Sequence, residues 1–268
     1  MKAVLCVEHG GPEKLVIGDV PVPEPGKGQV RIAVRCVGVN FPDTLIIQNL
    51  YQFKPALPFS PGGEAAGIVD AVGEGVTDIA VGDRVIAMTG HGCMAEQVIA
   101  NRGQVVKMAD GMPFDVAAGF TMTYGTSHHA LKQRGALKPG ETLLVLGAAG
   151  GVGLTAVELG KVMGAKVIAA ASSDEKLALC REMGADEVIN YSTEDLKDRI
   201  KVLTGGRGAD VIYDPVGDRY AEPAFRGIAW NGRYLVIGFA AGAIPALPLN
   251  LPLIKGASIV GVFWGAFT

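Results

Sequence analysis

Cysteine is scarce in this sequence and never paired. The four that occur, Cys6, Cys36, Cys93 and Cys180, stand singly with no CxxC spacing. That argues against a disulfide framework and a four-cysteine zinc lobe, and reduced thiols are the expectation. Basic charge is not in excess: 24 Lys and Arg stand against 27 Asp and Glu, for a formal net charge of −3. The chain therefore lacks the electropositive footprint that nucleic acid or anionic lipid requires. Long apolar runs are missing too, because each is broken by Gly or a charge, and "MKAVLCVEHG" has neither the apolar core nor the cleavage site of a signal peptide. A soluble, cytoplasmic protein with no nucleic-acid and no membrane partner is expected.

What the sequence does have is enough apolar residue to build a large core. Hydrophobic residues make up 49% and charged residues 19% of 268 positions, the composition of an ordinary globular protein, at a length that suits two domains. From Met1 to about Asp110, short apolar stretches such as "QVRIAVRCVGV", "EAAGIVDAVG" and "DRVIAM" alternate with Gly and Pro clusters, which predicts an all-β region. "PVPEPGKGQ" and "PALPFSPGG" read as loops, the second long enough to be functional. The segment "KMADGMPFDVAAGFTMTYGTSHHALKQRGALKPG" reads as one or two helices closed at Pro139-Gly140. Beyond it, "TLLVLG", "KVIAAA", "EVINY", "DVIYDPVG" and "GRYLVIGF" alternate with amphipathic stretches. Buried strands separated by helix-length segments predict βαβ units and an open, doubly wound parallel sheet.

The chemistry concentrates at the first of these crossovers. Gly147, Gly150 and Gly153 stand three residues apart, with Gly151 added, between a strand and a helix. A dinucleotide loop needs glycine there so that the chain can turn tightly and its backbone N–H groups can approach a pyrophosphate at the helix N-terminus. The motif departs from GxGxxG at Ala148, and a purely structural βα turn would read the same way. At the end of the next strand, where an NAD enzyme carries an acid for the ribose 2′-hydroxyl, the chain has Ala171-Ser172-Ser173 and then Lys176. Nothing there repels a 2′-phosphate, and two hydroxyls and a lysine offer it donors, so NADPH is expected over NADH. The alternative makes Ser172 an N-cap with Glu175 completing a capping box, Lys176 a solvated helix residue, and leaves Asp174 free to reach a ribose hydroxyl. Capping and phosphate binding can coexist.

At this point the chain resembles the zinc-independent quinone oxidoreductases of the medium-chain dehydrogenase/reductase superfamily. The residues that carry the resemblance are "GVNFPD" (38–43), "GGEAAGIV" with "VGEGVTDIAVGDRV" (within 62–85), "TYGTSHHAL" (123–131), "GAAGGVG" (147–153) and "SSDEK" (172–176). The resemblance implies an α/β protein: a GroES-like β-barrel catalytic domain over residues 1–118 and a Rossmann domain over 119–268, with substrate and nicotinamide meeting between them. Where zinc-dependent relatives hold a catalytic metal, this sequence has Asn40 and Gly63, neither of which supplies a thiolate or imidazole ligand. His91 and Cys93 are two potential ligands, too few for a site, so no metal is expected.

Without a Lewis acid the acceptor must already be electrophilic, and the implied activity is hydride transfer from NADPH to a quinone. By family position, Asn40 and Tyr51 would donate hydrogen bonds or a proton to the acceptor oxygen; their plainer readings are a turn residue and a loop aromatic. The resemblance also places Thr126 at the nicotinamide, Val152 in the glycine loop, Lys176 and Tyr191 at the 2′-phosphate, and Gly238 and Phe239 along the nicotinamide ribose. His128 and His129 read as structural. It further implies a homodimer paired through the strand around Ile259–Phe263. Family members continue for several tens of residues beyond "SIVGVFWGAF", so a C-terminal return segment is expected to be absent from a chain ending at Thr268. Two alternatives stand beside quinone reduction: reduction of an activated C=C bond (an enone, acrylyl thioester or haloacrylate), and NADPH binding without turnover.

Overall fold

The alternating run Gln29–Gly38 forms the longest strand of the first half and buries Val30 and Ile32 on one face, as a half-buried strand should. A computed structural model describes residues 1–267. The chain divides into two units, Met1–Met122 and Thr123–Phe267. In the first, β1 (Lys2–Cys6) pairs antiparallel with β2 (Leu15–Asp19). The strands β3 (Gln29–Gly38), β4 (Glu64–Val72), β5 (Arg84–Met88), β6 (Gln97–Asn101) and β7 (Val105–Lys107) make an antiparallel sheet in the order β6-β3-β4-β5-β7. Its core is Val30, Ile32, Val69, Val85 and Val98.

This unit is not all-β. A helix, α1 (Phe41–Ile47), follows β3 directly, with Asn40 at its N-cap and proline in its first turn. Pro42 costs no hydrogen bond there, and the Asp43 carboxylate accepts the Asn40 N–H at 2.8 Å, so local chemistry starts a helix within the region that the spacing of apolar runs predicts to be all-β. A short helix α2 (Phe114–Ala118) packs on β3 and β4. The next helix, α3 (Phe120–His128), contains the division between the units and runs into a π-helical turn over His129–Arg134.

In the second unit, β8 (Thr142–Leu146), α4 (Gly151–Val162), β9 (Lys166–Ala171), α5 (Asp174–Glu182), β10 (Glu187–Asn190), α6 (Leu196–Leu203), β11 (Ala209–Asp214), α7 (Ala221–Arg226), β12 (Ile228–Val236), α8 (Asn250–Lys255) and β13 (Ser258–Gly261) follow in order, and α9 (Trp264–Phe267) ends it. The six strands are parallel, in the order β10-β9-β8-β11-β12-β13. Each residue of β8 is buried, and successive ones serve opposite faces. Leu143 and Val145 pack with Ala156 and Val157 of α4, while Leu144 and Leu146 pack with Ile200 of α6 and Phe225 of α7. A strand covered on both sides reads as a continuous apolar run, and this is the doubly wound sheet expected. The strand order reverses between β8 and β11, so their carboxyl ends open the crevice where such sheets bind ligands. The strand expected around Ile259–Phe263 ends at Gly261, and α9 follows.

Candidate functional site

The loop leaving β8 is shaped by its glycines. Gly147 has φ of +55°, a left-handed conformation, and a side chain at Gly153 would put its Cβ 2.3 Å from the Gly147 carbonyl oxygen. Gly150 is the N-cap of α4 and offers no side-chain cap. The first-turn N–H groups of Gly151, Val152 and Gly153 thus have no partner within the helix and face outward at the positive end of its dipole. This cradle fits a pyrophosphate.

At the end of β9 the two serines divide their roles differently from the expectation. Ser173, not Ser172, is the N-cap of α5, its Oγ accepting the Lys176 N–H at 3.4 Å. The helix begins at Asp174, one residue later than the capping-box reading requires. Ser172 is thereby released to accept a hydrogen bond from Lys176 Nζ at 3.1 Å, which draws the ammonium over the strand end. Asp174 is turned away from this point, accepting from Asn190 Nδ2 at 2.8 Å. Tyr191 follows β10, half-buried, its ring 4.4 Å from that of Tyr220. Burial raises its phenol pKa, so it remains protonated and able to donate.

The carboxyl ends of β11 and β12 are tied together by Asp214, which is 2% exposed. Its Oδ1 accepts the N–H groups of Val216 and Gly217 at 2.7 and 2.8 Å, and its Oδ2 accepts the Tyr234 hydroxyl. Its backbone oxygen accepts from Ile237 at 3.0 Å and Gly238 at 3.4 Å, so the Gly238–Phe239 loop hangs from the same residue. Burial raises the Asp214 pKa and those hydrogen bonds oppose the shift. Thr126, buried, sits in α3 beside Ser127. Ser127, Tyr213 and Asp214 escaped the sequence reading. Of these only Asp214 had a local signal, an acid before Pro at a strand end, where Asx turns form.

The first unit gathers Asn40, Asp43 and Glu64. Glu64 is fully buried at the start of β4; its Oε1 accepts from Asn40 Nδ2 at 2.9 Å and its Oε2 from the Met122 N–H at 2.9 Å. Asp43 takes the Asn40 N–H and lies against the backbone of Gly62 and Gly63. Burial raises both carboxyl pKa values. Tyr51 packs against Cys6, Ile46, Ile47 and Phe59. Burial, with the Asp43 charge added, raises its phenol pKa, which keeps it a donor at neutral pH. A zinc ion does not fit this donor set: Gly63 has no side chain, Asn40 offers a neutral amide in place of a thiolate, and among the described residues no three His, Cys, Asp or Glu side chains converge on a metal position. Cys93 is fully buried, its thiol pKa pushed up to about 12 by burial and its sulfur 3.1 Å from Thr89 Oγ1. The nearby His91 imidazole faces Phe53 and Phe59.

Residues 151–268 match the family described as zinc-binding dehydrogenase, and residues 26–110 match the alcohol dehydrogenase GroES-like domain. The chain is 44% identical over 268 residues to the quinone oxidoreductase-like protein 2 homolog of Nematostella vectensis, covering 99% of this chain and 73% of that protein. It belongs to the quinone oxidoreductase-like family of the medium-chain dehydrogenase/reductases. The family member from Pseudomonas aeruginosa, a quinone oxidoreductase, is 38% identical over 97% of this chain and 80% of its own length. Among solved structures of the family, the quinone oxidoreductase of Escherichia coli complexed with NADPH superposes with a TM-score of 0.94 at 31% identity, covering 100% of this chain and 82% of that one. The family's GroES-like and Rossmann folds are therefore those of the two units. Among the described residues no helix is long and apolar enough to cross a membrane.

Proposed function

We propose that this family member is an NADPH-dependent, zinc-independent reductase that transfers hydride to a quinone. The observation that carries the reading is the end of β9: Lys176 Nζ rests on Ser172 while Asp174 is bound to Asn190. A 2′-phosphate there meets a cation and hydroxyls rather than a carboxylate. Gly147, Gly150, Gly151, Val152 and Gly153 hold the pyrophosphate; Ser172, Ser173, Lys176 and Tyr191 hold the 2′-phosphate; Thr126, Gly238 and Phe239 border the nicotinamide half. NADPH, when bound, supplies the hydride. As the acceptor is reduced, negative charge develops on its carbonyl oxygen. Asn40, with one amide hydrogen held by Glu64, directs its other hydrogen to that oxygen, and the Tyr51 phenol donates a hydrogen bond or the proton. The same reading makes the protein a cytoplasmic homodimer. Support for the dimer is β13, which ends the sheet as an edge strand with Ile259 exposed.

Lys176→Ala tests the reading. It should weaken NADPH roughly tenfold while leaving NADH within about twofold, as expected for loss of one charge-assisted contact. Equal weakening of both dinucleotides, measured by quenching of protein fluorescence, would remove the 2′-phosphate assignment. Turnover of a benzoquinone alongside an acrylyl thioester then separates quinone reduction from reduction of an activated double bond. NADPH binding with neither activity would identify a non-catalytic binder.

A further inference from the structure

The second unit carries a cluster of three hydroxyls in an otherwise apolar core, at the junction of α3, α4 and β11. Ser127 Oγ is completely buried and lies 2.9 Å from three atoms: the Val152 carbonyl oxygen, Thr155 Oγ1 and the Tyr213 hydroxyl. Tyr213 is also fully buried, among Leu143, Val145 and Val211 of the sheet. Thr155 Oγ1 approaches the carbonyl oxygens of Thr123 at 3.2 Å, Val152 at 3.1 Å and Gly151 at 3.3 Å.

Counting hydrogens gives the cluster a direction. Each hydroxyl has one hydrogen to donate, and carbonyls only accept. Tyr213 donates to Ser127 Oγ, Ser127 donates to the Val152 carbonyl, and Thr155 donates either to Ser127 or to a carbonyl of α3 or α4. Every hydroxyl hydrogen then has an acceptor. A satisfied polar network in a dry core has one good arrangement and resists deformation. An apolar core of the same volume would tolerate sliding of α3 against α4 more readily.

The ends of this relay matter. Ser127 adjoins Thr126, and Val152 lies within the N-terminal turn of α4. We infer that the Tyr213–Ser127–Val152 relay is a spacer that sets the position of Thr126 relative to the N-terminus of α4, making Ser127 and Tyr213 positioning residues for the nicotinamide half of the dinucleotide. The inference rests on the cofactor reading above. A ligand that bridges Thr126 and the glycine loop senses the spacing. One that occupies only the adenosine and phosphate half does not.

The test compares NADPH with 2′,5′-ADP, which lacks the nicotinamide half, on the full chain and on Tyr213→Phe and Ser127→Ala. Both variants should bind NADPH about fivefold more weakly, the equivalent of one lost internal hydrogen bond, and 2′,5′-ADP within about twofold of the parent. Tyr213→Phe keeps the ring in the core, so it carries the test even if Ser127→Ala fails to fold. Unchanged NADPH affinity in folded Tyr213→Phe would overturn the spacer, and so would equal weakening of both ligands, which is what simple loosening of the core produces. Failure of the parent chain to bind NADPH would overturn the cofactor reading and the spacer with it; binding by the parent with no selective loss in the variants overturns the spacer alone.

Discussion

Each unit of the protein buries a carboxylate at a strand terminus, Glu64 at the start of β4 and Asp214 at the end of β11, and the two are used differently. Glu64, 0% exposed, shares its oxygens between a side-chain amide, Asn40, and a backbone N–H, Met122. Asp214, 2% exposed, gives one oxygen to two backbone N–H groups and the other to a phenol, Tyr234. Backbone donors cannot turn round, but an amide can flip and a hydroxyl can rotate. The adjustable partner is therefore the proposed acceptor-binding residue in the first unit and a core tyrosine in the second. Burial alone does not tell which carboxylate touches function; what its movable partner does decides it.

The comparison is broken most severely by truncation. Glu64→Ala and Asp214→Ala each strand buried donors, and each should cost about 3 kcal/mol in urea denaturation; a loss under about 1 kcal/mol in either would mean that water replaces the carboxylate. The isosteric amides then separate the two sites. In Glu64→Gln the new amide hydrogens face Asn40, which satisfies them by flipping to present its oxygen, so folding survives but the donor offered to the acceptor moves. We expect kcat to fall roughly tenfold, part of what loss of a whole oxyanion donor costs, with NADPH affinity unchanged. Full turnover in Glu64→Gln would take Asn40 out of the mechanism.

Asp214→Asn should be milder. Its oxygen keeps both backbone N–H groups and its amide donates to a rotated Tyr234 hydroxyl, so stability should change by less than about 1 kcal/mol and turnover hardly at all. Its signature is in the pH dependence. Because burial raises the folded-state pKa, the folded protein holds this proton to higher pH than the unfolded chain does. The stability Asp214 contributes is fully present below the ordinary aspartate pKa of about 4 and is lost as pH rises through the raised value. Asn cannot titrate, so the variant's stability profile should be flatter across that interval. An identical slope in the two proteins would assign it to Glu64 or Asp43, whose pKa values burial also raises. The smallest effect belongs to Tyr51→Phe, which removes a hydroxyl and no ring packing. A several-fold fall in kcat at unchanged NADPH affinity is expected if the phenol donates to the acceptor, and an unchanged kcat would return Tyr51 to its role against Ile46, Ile47 and Phe59.

The strands β8, β9 and β11, buried but for Lys166 and Asp210, were legible because a strand covered on both faces leaves an apolar run between helix-length segments. The glycine loop was legible because its backbone geometry excludes side chains at fixed offsets. Less legible was α1, since Asn40, Pro42 and Asp43 start a helix through capping chemistry that the spacing of apolar runs does not record. At the end of β9 two adjacent serines were equally able to cap, and only the start of the helix at Asp174 assigned the cap to Ser173 and freed Ser172 for Lys176.

The sequence by itself determined the two-part organisation, the parallel sheet and the place of the glycine cradle, because each is written in local periodicity and in residues with restricted backbone choices. Only the tertiary structure decided which polar groups meet. Asn40 meets Glu64 across 24 positions, and Ser127 meets Tyr213 across 86. Such pairs are selected by the requirement that a buried donor or acceptor find a partner, and that requirement acts through space after the chain has folded, with no period or spacing along the sequence to announce it.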